Sequence, residues 1–309
     1  MIENLFSTST RDKSIRAVRF YSKNLHRTKI IFILSRIINR YIYRFGIGSV
    51  VNRYDSSLTI YSSLEDKKLY QDYPHGSIFC NFGSGAFFHK LWKNYDFPGQ
   101  SRLYKTIQGK LGRDFFSVDL SDDKLKISED DSSVSLIYCS HTLEHVNEKS
   151  GKRFLNECFR ILLPDGVLRI ALPTLGNEIY IMSLLNKQKL SNKFKKNLAK
   201  SLAKRVLSDA SEQFSADTNL ELFIEANFNA AKYYRLAQEK GVDISFRPEN
   251  PERHISFWDL QKIINISQKI GFKFTIPTLE NISLSDPFKN SHVFDNTETQ
   301  QSFYIELVK

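Results

Sequence analysis

The stretch SLIYCSHTLEHVNEKSGKRFLNECFRILLPDGVLRIALP, Ser135 to Pro173, decides the fold. It opens with a β-rich run, Ser135 to Cys139, and passes through polar residues into a segment where Phe154, Leu155, Cys158, Ile161 and Leu162 recur at helical spacing. Pro164-Asp165-Gly166 then reads as a turn, and Val167 to Leu172 as a second β-rich run. Strand, helix, turn and strand in this order make a βαβ unit, and such units build parallel sheets with ligand sites at the carboxyl ends of their strands. Ser140, His141, Glu144 and His145 leave the first strand at that end, so chemistry is expected there.

Upstream, the apolar run Ile78-Phe79-Cys80 is followed by Asn81-Phe82-Gly83-Ser84-Gly85. Glycines two apart straight after a strand let the backbone turn sharply and approach a ligand with no Cβ in the way. Asp96 stands eleven residues beyond Gly85, after a candidate strand at Lys93 to Tyr95. A carboxylate at the end of the next strand can accept hydrogen bonds from both hydroxyls of a ribose. Phe115 to Val118 reads as a third strand closing on Asp119 and Leu120.

The 309-residue chain is long enough for a full core, and its composition is globular. Its net charge of +10 is uneven: eleven Lys and Arg stand against Glu3 and Asp12 between Met1 and Arg53, and Lys187 to Arg205 holds eight with no acid. Residues 1–75 read as a basic helical extension, in which the spacing puts Ile30, Ile31, Leu34, Ile38, Tyr41, Ile42 and Phe45 on one expected helix face and Arg36, Arg40 and Arg44 on another. Such a helix either packs on the domain or lies on an anionic membrane surface. Cys80, Cys139 and Cys158 are isolated within apolar patterns and read as reduced core residues. No secretory-type apolar core stands near Met1, and Ile30 to Leu34 is too short to cross a bilayer, so a cytoplasmic protein, peripheral at the inner membrane face, is expected.

From about 176 to 253 lies material beyond a minimal βαβ sheet. Leu190, Phe194, Leu198, Leu202 and Val206 recur every four residues among lysines, a second cationic amphipathic helix. Glu221 to Lys240 reads as another helix. The insertion is either a substrate cap or a homodimer contact.

Asn81-Phe82-Gly83-Ser84-Gly85, with His89, Trp92, Asn94 and Asp96, resembles the opening motif of class I S-adenosylmethionine-dependent methyltransferases of the type 11 group. Lys90 and Leu91 replace the usual Pro-Gly there. Ser140-His141-Thr142-Leu143-Glu144-His145 is similar to that group's S-H-x-L-E-H segment. Glu157, Arg160, Leu162, Pro164, Gly166 and Leu168 resemble its sequel, with Asp165 where glycine is usual. Phe257 to Phe272 looks like the helix before the sixth strand, and Phe303 to Glu306 like the last, antiparallel strand.

The resemblance implies a Rossmann-like α/β fold over residues 76–309, with a seven-stranded, mostly parallel sheet, helices on both faces, and S-adenosylmethionine as cofactor. It assigns Asn81, Phe82, Gly83, Ser84 and Gly85 to the loop under the methionine part, Asp96 to the ribose, and Asp119 and Leu120 to the adenine. Ser140 and His141 would face the sulfonium. The expected reaction is O-methylation of a sugar or glycan, on a surface polysaccharide or lipid-linked chain. Another small molecule, an N-acceptor or a non-catalytic scaffold are the alternatives.

A hydroxyl nucleophile needs a base, for which His141, His145 and His254 are candidates, His141 first because it follows the strand directly. If a helix began at His141, His145 would stand about 400° round, nearly on the same face. His145 also reads as a capping or core residue, and His254 as a structural one. His141 to His145 fits the zinc motif H-x-x-E-H literally, but the glycine loop and Asp96 have no place in such a metalloprotease, so no metal is expected. Basic helices also grip phosphate, yet the fourth strand lacks the Asn/Asp-Pro-Pro-aromatic run of amino-methylating nucleic-acid enzymes, and nucleic acid is set aside.

Overall fold

The computed structural model describes residues 68–85, 91–98, 115–188, 191–290, 293–295 and 301–309. The extension helix expected at Ile30 to Phe45 and the motif residues His89 and Lys90 lie outside them.

Seven strands form one sheet in the order β3-β2-β1-β4-β5-β7-β6. They are β1 (Ile78–Phe82), β2 (Lys93–Asp96), β3 (Phe115–Ser117), β4 (Val134–Ser140), β5 (Leu162–Pro173), β6 (Phe274–Thr278) and β7 (Ser302–Val308). Pairing is parallel from β3 through β5, and β7 runs antiparallel to both β5 and β6. This is the sheet of a class I methyltransferase fold, with its reversed last strand where Phe303 to Glu306 was expected.

Side-chain alternation gives the sheet two buried faces. Cys80, Phe82, Ile137, Cys139, Leu168 and Ile170 point to one, against Phe154, Leu155 and Cys158 of helix α1 (Glu148–Ile161). Phe79, Leu136, Tyr138 and Val167 point to the other, where Tyr70, Trp92, Phe288 and Phe294 cover them. Cys80, Cys139 and Cys158 are free thiols, all buried, and burial pushes each of them up in pKa.

α1 starts where the Asn147 side chain accepts from Ser150 N at 2.9 Å. It ends one residue earlier than the apolar spacing suggests, because Leu162 is already extended and pairs with Val134. Leu163 precedes a proline, which disfavours another helical turn. The Pro164-Asp165-Gly166 turn is an excursion within β5: Val134 faces Leu162, and Leu136 faces Val167. Asp165 sits there at φ 61°, a conformation that favours glycine.

The insertion folds as helices α2 (Gly176–Asn186), α3 (Asn192–Val206), α4 (Ala210–Gln213), α5 (Ala216–Glu225) and α6 (Ala230–Glu239). They bury a core of their own, including Leu175, Ile179, Leu202, Val206, Phe223 and Tyr233. The single helix expected at Glu221 to Lys240 is two helices. Asn227 and Phe228 adopt φ 50° and 52° between them, and Asn229 caps α6 by accepting from Lys232 N at 2.9 Å. Helix α7 (Leu260–Ile270) begins three residues after Phe257, at an Asp259 cap that accepts from Lys262 N at 2.7 Å.

Among the described residues a charged cluster lies wholly inside. Arg169 of β5 is 0% exposed. Its guanidinium meets Asp295 at 2.5 Å and Glu306 at 2.7 Å, and also donates to Thr278 Oγ1 and to the carbonyls of Leu279 and Ile282. Removing the cation strands two carboxylates, and breaking a buried pair in this way costs about 3–5 kcal/mol. Arg169→Met is therefore expected to lower urea-unfolding stability by about that amount, whereas a surface exchange such as Lys152→Met stays within about 0.5 kcal/mol.

Candidate active site

The sheet's carboxyl edge opens into a cavity lined by Gly83, Gly85, Asp96, Phe97, Val118, Asp119, Leu120, His141, Thr142, His145, Val146, Phe246, Pro251 and Glu252. Seven of these were expected from the sequence: Gly83, Gly85, Asp96, Asp119, Leu120, His141 and His145.

The floor is the turn after β1. Gly83 and Gly85 have φ 66° and 54°, which glycine adopts at little cost. A Cβ on Gly83 would stand 1.9 Å from Thr142 Oγ1, so backbone and Thr142 already occupy the space a side chain would need. Gly85 N donates to Asp96 Oδ2 at 2.6 Å, and Phe97 N donates to Oδ1 at 2.7 Å, tying the turn to the end of β2. Burial pushes the Asp96 carboxyl up to about 6, against the lowering effect of those two amides.

Asn81 and Phe82 stand in β1 rather than in the loop, because pairing with Asn94 and Tyr95 carries the strand up to the first glycine. Neither lines the cavity. Asn81 donates to Asn94 Oδ1 at 3.2 Å, and Phe82 stacks on Tyr95 with ring centroids 4.6 Å apart. Ser84 is buried beside them, its amide donating to the Tyr95 carbonyl at 3.1 Å. Asp119 lines the cavity and also caps its own turn, accepting from Ser121 N at 2.8 Å. Ser140 ends β4 with a buried Oγ that has no hydrogen-bond partner among the described residues.

No helix begins at His141. That residue turns the chain at φ 49°, and a short 3-10 turn, Leu143–His145, follows. His141 Nε2 lies 2.8 Å from Ser302 Oγ, and its Nδ1 lies 3.3 Å from Glu144 Oε1. His145 Nε2 is 3.9 Å from the same oxygen. His254 does not line the cavity: it stands behind His145, ring centroids 5.1 Å apart. Burial raises the Glu144 carboxyl, but the imidazoles of His145, His141 and His254 outweigh it and hold the group at about 2. Burial lowers His254.

Of the other seven, Val118, Thr142 and Val146 stand beside expected residues, and Phe97, Phe246, Pro251 and Glu252 escaped the sequence reading. Phe246, Pro251 and Glu252 come from the insertion, and Phe246 packs edge-on against Phe97 at 5.4 Å. An aromatic directly after Asp96 was the available signal for Phe97; nothing local marks the other three. The fit to a sulfonium nucleoside is good: a Cβ-free cradle, a carboxylate at the neighbouring strand's end, and the apolar wall of Phe97, Val118 and Leu120.

Residues 114–170 match the family model of a methyltransferase domain. No curated protein matches the chain significantly. Among solved structures, a methyltransferase of Thermotoga maritima, described as a possible histamine N-methyltransferase, is 16% identical over 90% of this chain and 99% of its own, with a TM-score of 0.38. One from Aquifex aeolicus is 11% identical over 84% and 98%, with a TM-score of 0.35. An N-methyltransferase of Haemonchus contortus, in complex with S-adenosylhomocysteine, is 11% identical over 87% and 56%, with a TM-score of 0.39.

Gly83→Ala forces a side chain into Thr142 and holds a non-glycine residue in the left-handed region. Overpacking costs about 1–3 kcal/mol and the backbone about 1–2 kcal/mol more. Thermal unfolding should show a lowered midpoint, and Gly76→Ala, where a Cβ meets open space, should show a smaller loss.

Proposed function

The chain carries a class I S-adenosylmethionine-dependent methyltransferase domain, and on that premise we propose that it methylates an oxygen of a sugar or glycan acceptor at the cytoplasmic face of a membrane. The observation that carries the oxygen acceptor is His141, on the cavity wall between Ser302 Oγ and the Glu144 carboxylate.

Gly83 and Gly85 would run beneath the amino-acid end of the cofactor, Asp96 would accept from the ribose hydroxyls, and Phe97, Val118 and Leu120 would flank the purine. When bound, the cofactor supplies a methyl group already activated as an electrophile. The chain's own task is to place the acceptor in line and take its proton. Glu144, ionised at neutral pH, orients His141 through Nδ1 and favours the imidazolium that forms. Nε2 is then the atom that takes the proton, with the acceptor hydroxyl replacing or joining Ser302.

A second cavity supports a carbohydrate acceptor. Tyr180, Phe228, Phe257, Trp258 and Phe303 give it apolar walls, while Asn186, Asn227 and Asp259 add polar groups. Flat apolar surface beside amides and a carboxylate matches a sugar's apolar ring face and hydroxyl rim. Phe303 lines it and follows Ser302, the partner of His141, in β7.

The membrane part of the proposal rests on charge. The apolar face of α3, Ala199, Leu202, Ala203 and Val206, is spent inside the insertion's core, so that helix offers a surface its lysines and the half-exposed Phe194. No helix among the described residues is long and apolar enough to cross a bilayer.

His141→Ala should lower kcat by about 10²–10⁴-fold and leave cofactor affinity unchanged; full turnover with saturating acceptor would remove the base assignment. Below pH 6 the Asp96 carboxyl takes up a proton and loses acceptor capacity. Calorimetry should therefore show cofactor affinity falling by roughly tenfold per pH unit under that point and flat above it, with the slope absent in Asp96→Asn. Deleting residues 1–53 should abolish sedimentation with anionic liposomes. Mass spectrometry of glycans from cells with and without the protein should differ by one methylene.

A further inference from the structure

We propose that Glu144, His145 and His254 form a binding site for one divalent transition-metal ion of the zinc class. Each offers a ligand atom, and these atoms all lie within 4.8 Å of one another.

Two features beyond proximity point to a cation. The first is the state of the two rings. His145 Nδ1 lies 3.1 Å from the Arg253 carbonyl and His254 Nδ1 lies 2.7 Å from the Arg205 carbonyl. A carbonyl can only accept, so both Nδ1 atoms carry a hydrogen, which leaves Nε2 of each ring as the atom able to offer a lone pair to an ion. Metal-bound histidines are held in this way, one ring nitrogen donating to a carbonyl or carboxylate and the other facing the ion.

The second feature is Glu144. Its side chain is 4% exposed, and the contacts of its Oε1 are long ones to imidazoles, His141 Nδ1 at 3.3 Å and His145 Nε2 at 3.9 Å. A buried carboxylate held by contacts this long is incompletely satisfied, and a cation beside it would relieve that cost. A cation among the three groups satisfies all of them. Metal–ligand bonds of about 2 Å each span the 3.9 Å between His145 Nε2 and Glu144 Oε1, and closing that gap by about 0.5 Å gives tetrahedral spacing.

Two imidazoles and one carboxylate are a zinc-type set, whereas calcium and magnesium call for mostly oxygen. The set differs from the linear H-x-x-E-H pattern: His141 turns its Nε2 to Ser302, and His254 takes its place from 109 residues along the chain. His145 alone of the three lines the cavity, so a fourth ligand enters from there, a water or the acceptor oxygen. Held by zinc, that oxygen loses its proton more readily. This role, though not the site, rests on the methyl-transfer reading.

The test uses the full chain, stripped with a chelator and dialysed against Zn²⁺ or Co²⁺. The expected result is one Zn²⁺ per chain after gel filtration and, with Co²⁺, the intense visible bands of a four- or five-coordinate ion. His254→Ala should weaken binding by about 100-fold or more, more than the loss of a supporting partner costs. His254→Cys should restore it with a thiolate-to-cobalt band in the near ultraviolet, and His141→Ala should leave it intact. Substoichiometric zinc, a six-coordinate aqua-like cobalt spectrum, or unchanged binding in His254→Ala would overturn the site. If His254→Ala fails to fold, the native cobalt spectrum and the cysteine variant decide. Methyl transfer by chain that retains no metal overturns the metal role alone; a metal-loaded chain that binds no S-adenosylmethionine overturns the methyl-transfer reading and leaves the metal.

Discussion

Hydrogen bonds between the Leu143–His145 turn and residues 253–258 are the constraint on which the rest depends. Glu144 O accepts from Ile255 N at 2.8 Å and Ser256 N at 3.2 Å, and Leu143 O accepts from Ser256 Oγ and Trp258 Nε1, each at 2.9 Å. His145 Nδ1 adds the contact to Arg253. Each bond contributes about 1 kcal/mol net, but losing one leaves a buried group unsatisfied at greater cost. Trp258 also fills the space over Gly151, where a Cβ would come within 2.3 Å of its ring. The end of β4, the exit of the insertion and the start of α1 are thus one joint, and the histidines stand on it.

Two buried charges show how differently the fold treats structure and site. Arg169 spends every donor direction on carboxylates, a hydroxyl and carbonyls, and so fastens residues 278–295 across β5 and β7. Glu144, equally enclosed, is met only at longer range, by His141 Nδ1 at 3.3 Å and His145 Nε2 at 3.9 Å. A fully satisfied network rigidifies, whereas an unsatisfied one costs stability and belongs where a ligand or proton completes it. The insertion repeats the first pattern on a smaller scale: Asp209, buried, receives Arg253 Nε at 2.7 Å and Arg247 Nη2 at 3.1 Å.

The sheet was legible because its strands are short apolar runs separated by turn residues and one long amphipathic helix, a local pattern with a single parallel solution. Gly83, Gly85 and Asp96 were legible for the same reason, since spacing alone brings a glycine turn beside the next strand's end. What escaped depends on distance along the chain. Arg169 reads as an ordinary residue of a buried strand until Asp295 and Glu306 arrive from 126 and 137 positions away. Phe246 reaches the site through the insertion, whose helical period says nothing about where it docks. Asn81 and Phe82 were placed one step too far along because the strand's end is set by its neighbour, Asn94 and Tyr95, not by its own composition.

The three thiols have a practical consequence. Cys80, Cys139 and Cys158 are the chain's whole complement and sit in the sheet's main core with their ionisation suppressed. Since thiolate is the nucleophile, alkylating or chromogenic reagents reach them only when that core opens. Labelling kinetics on the untouched polypeptide therefore time global unfolding, with no introduced probe and no signal from the loops around the cavity.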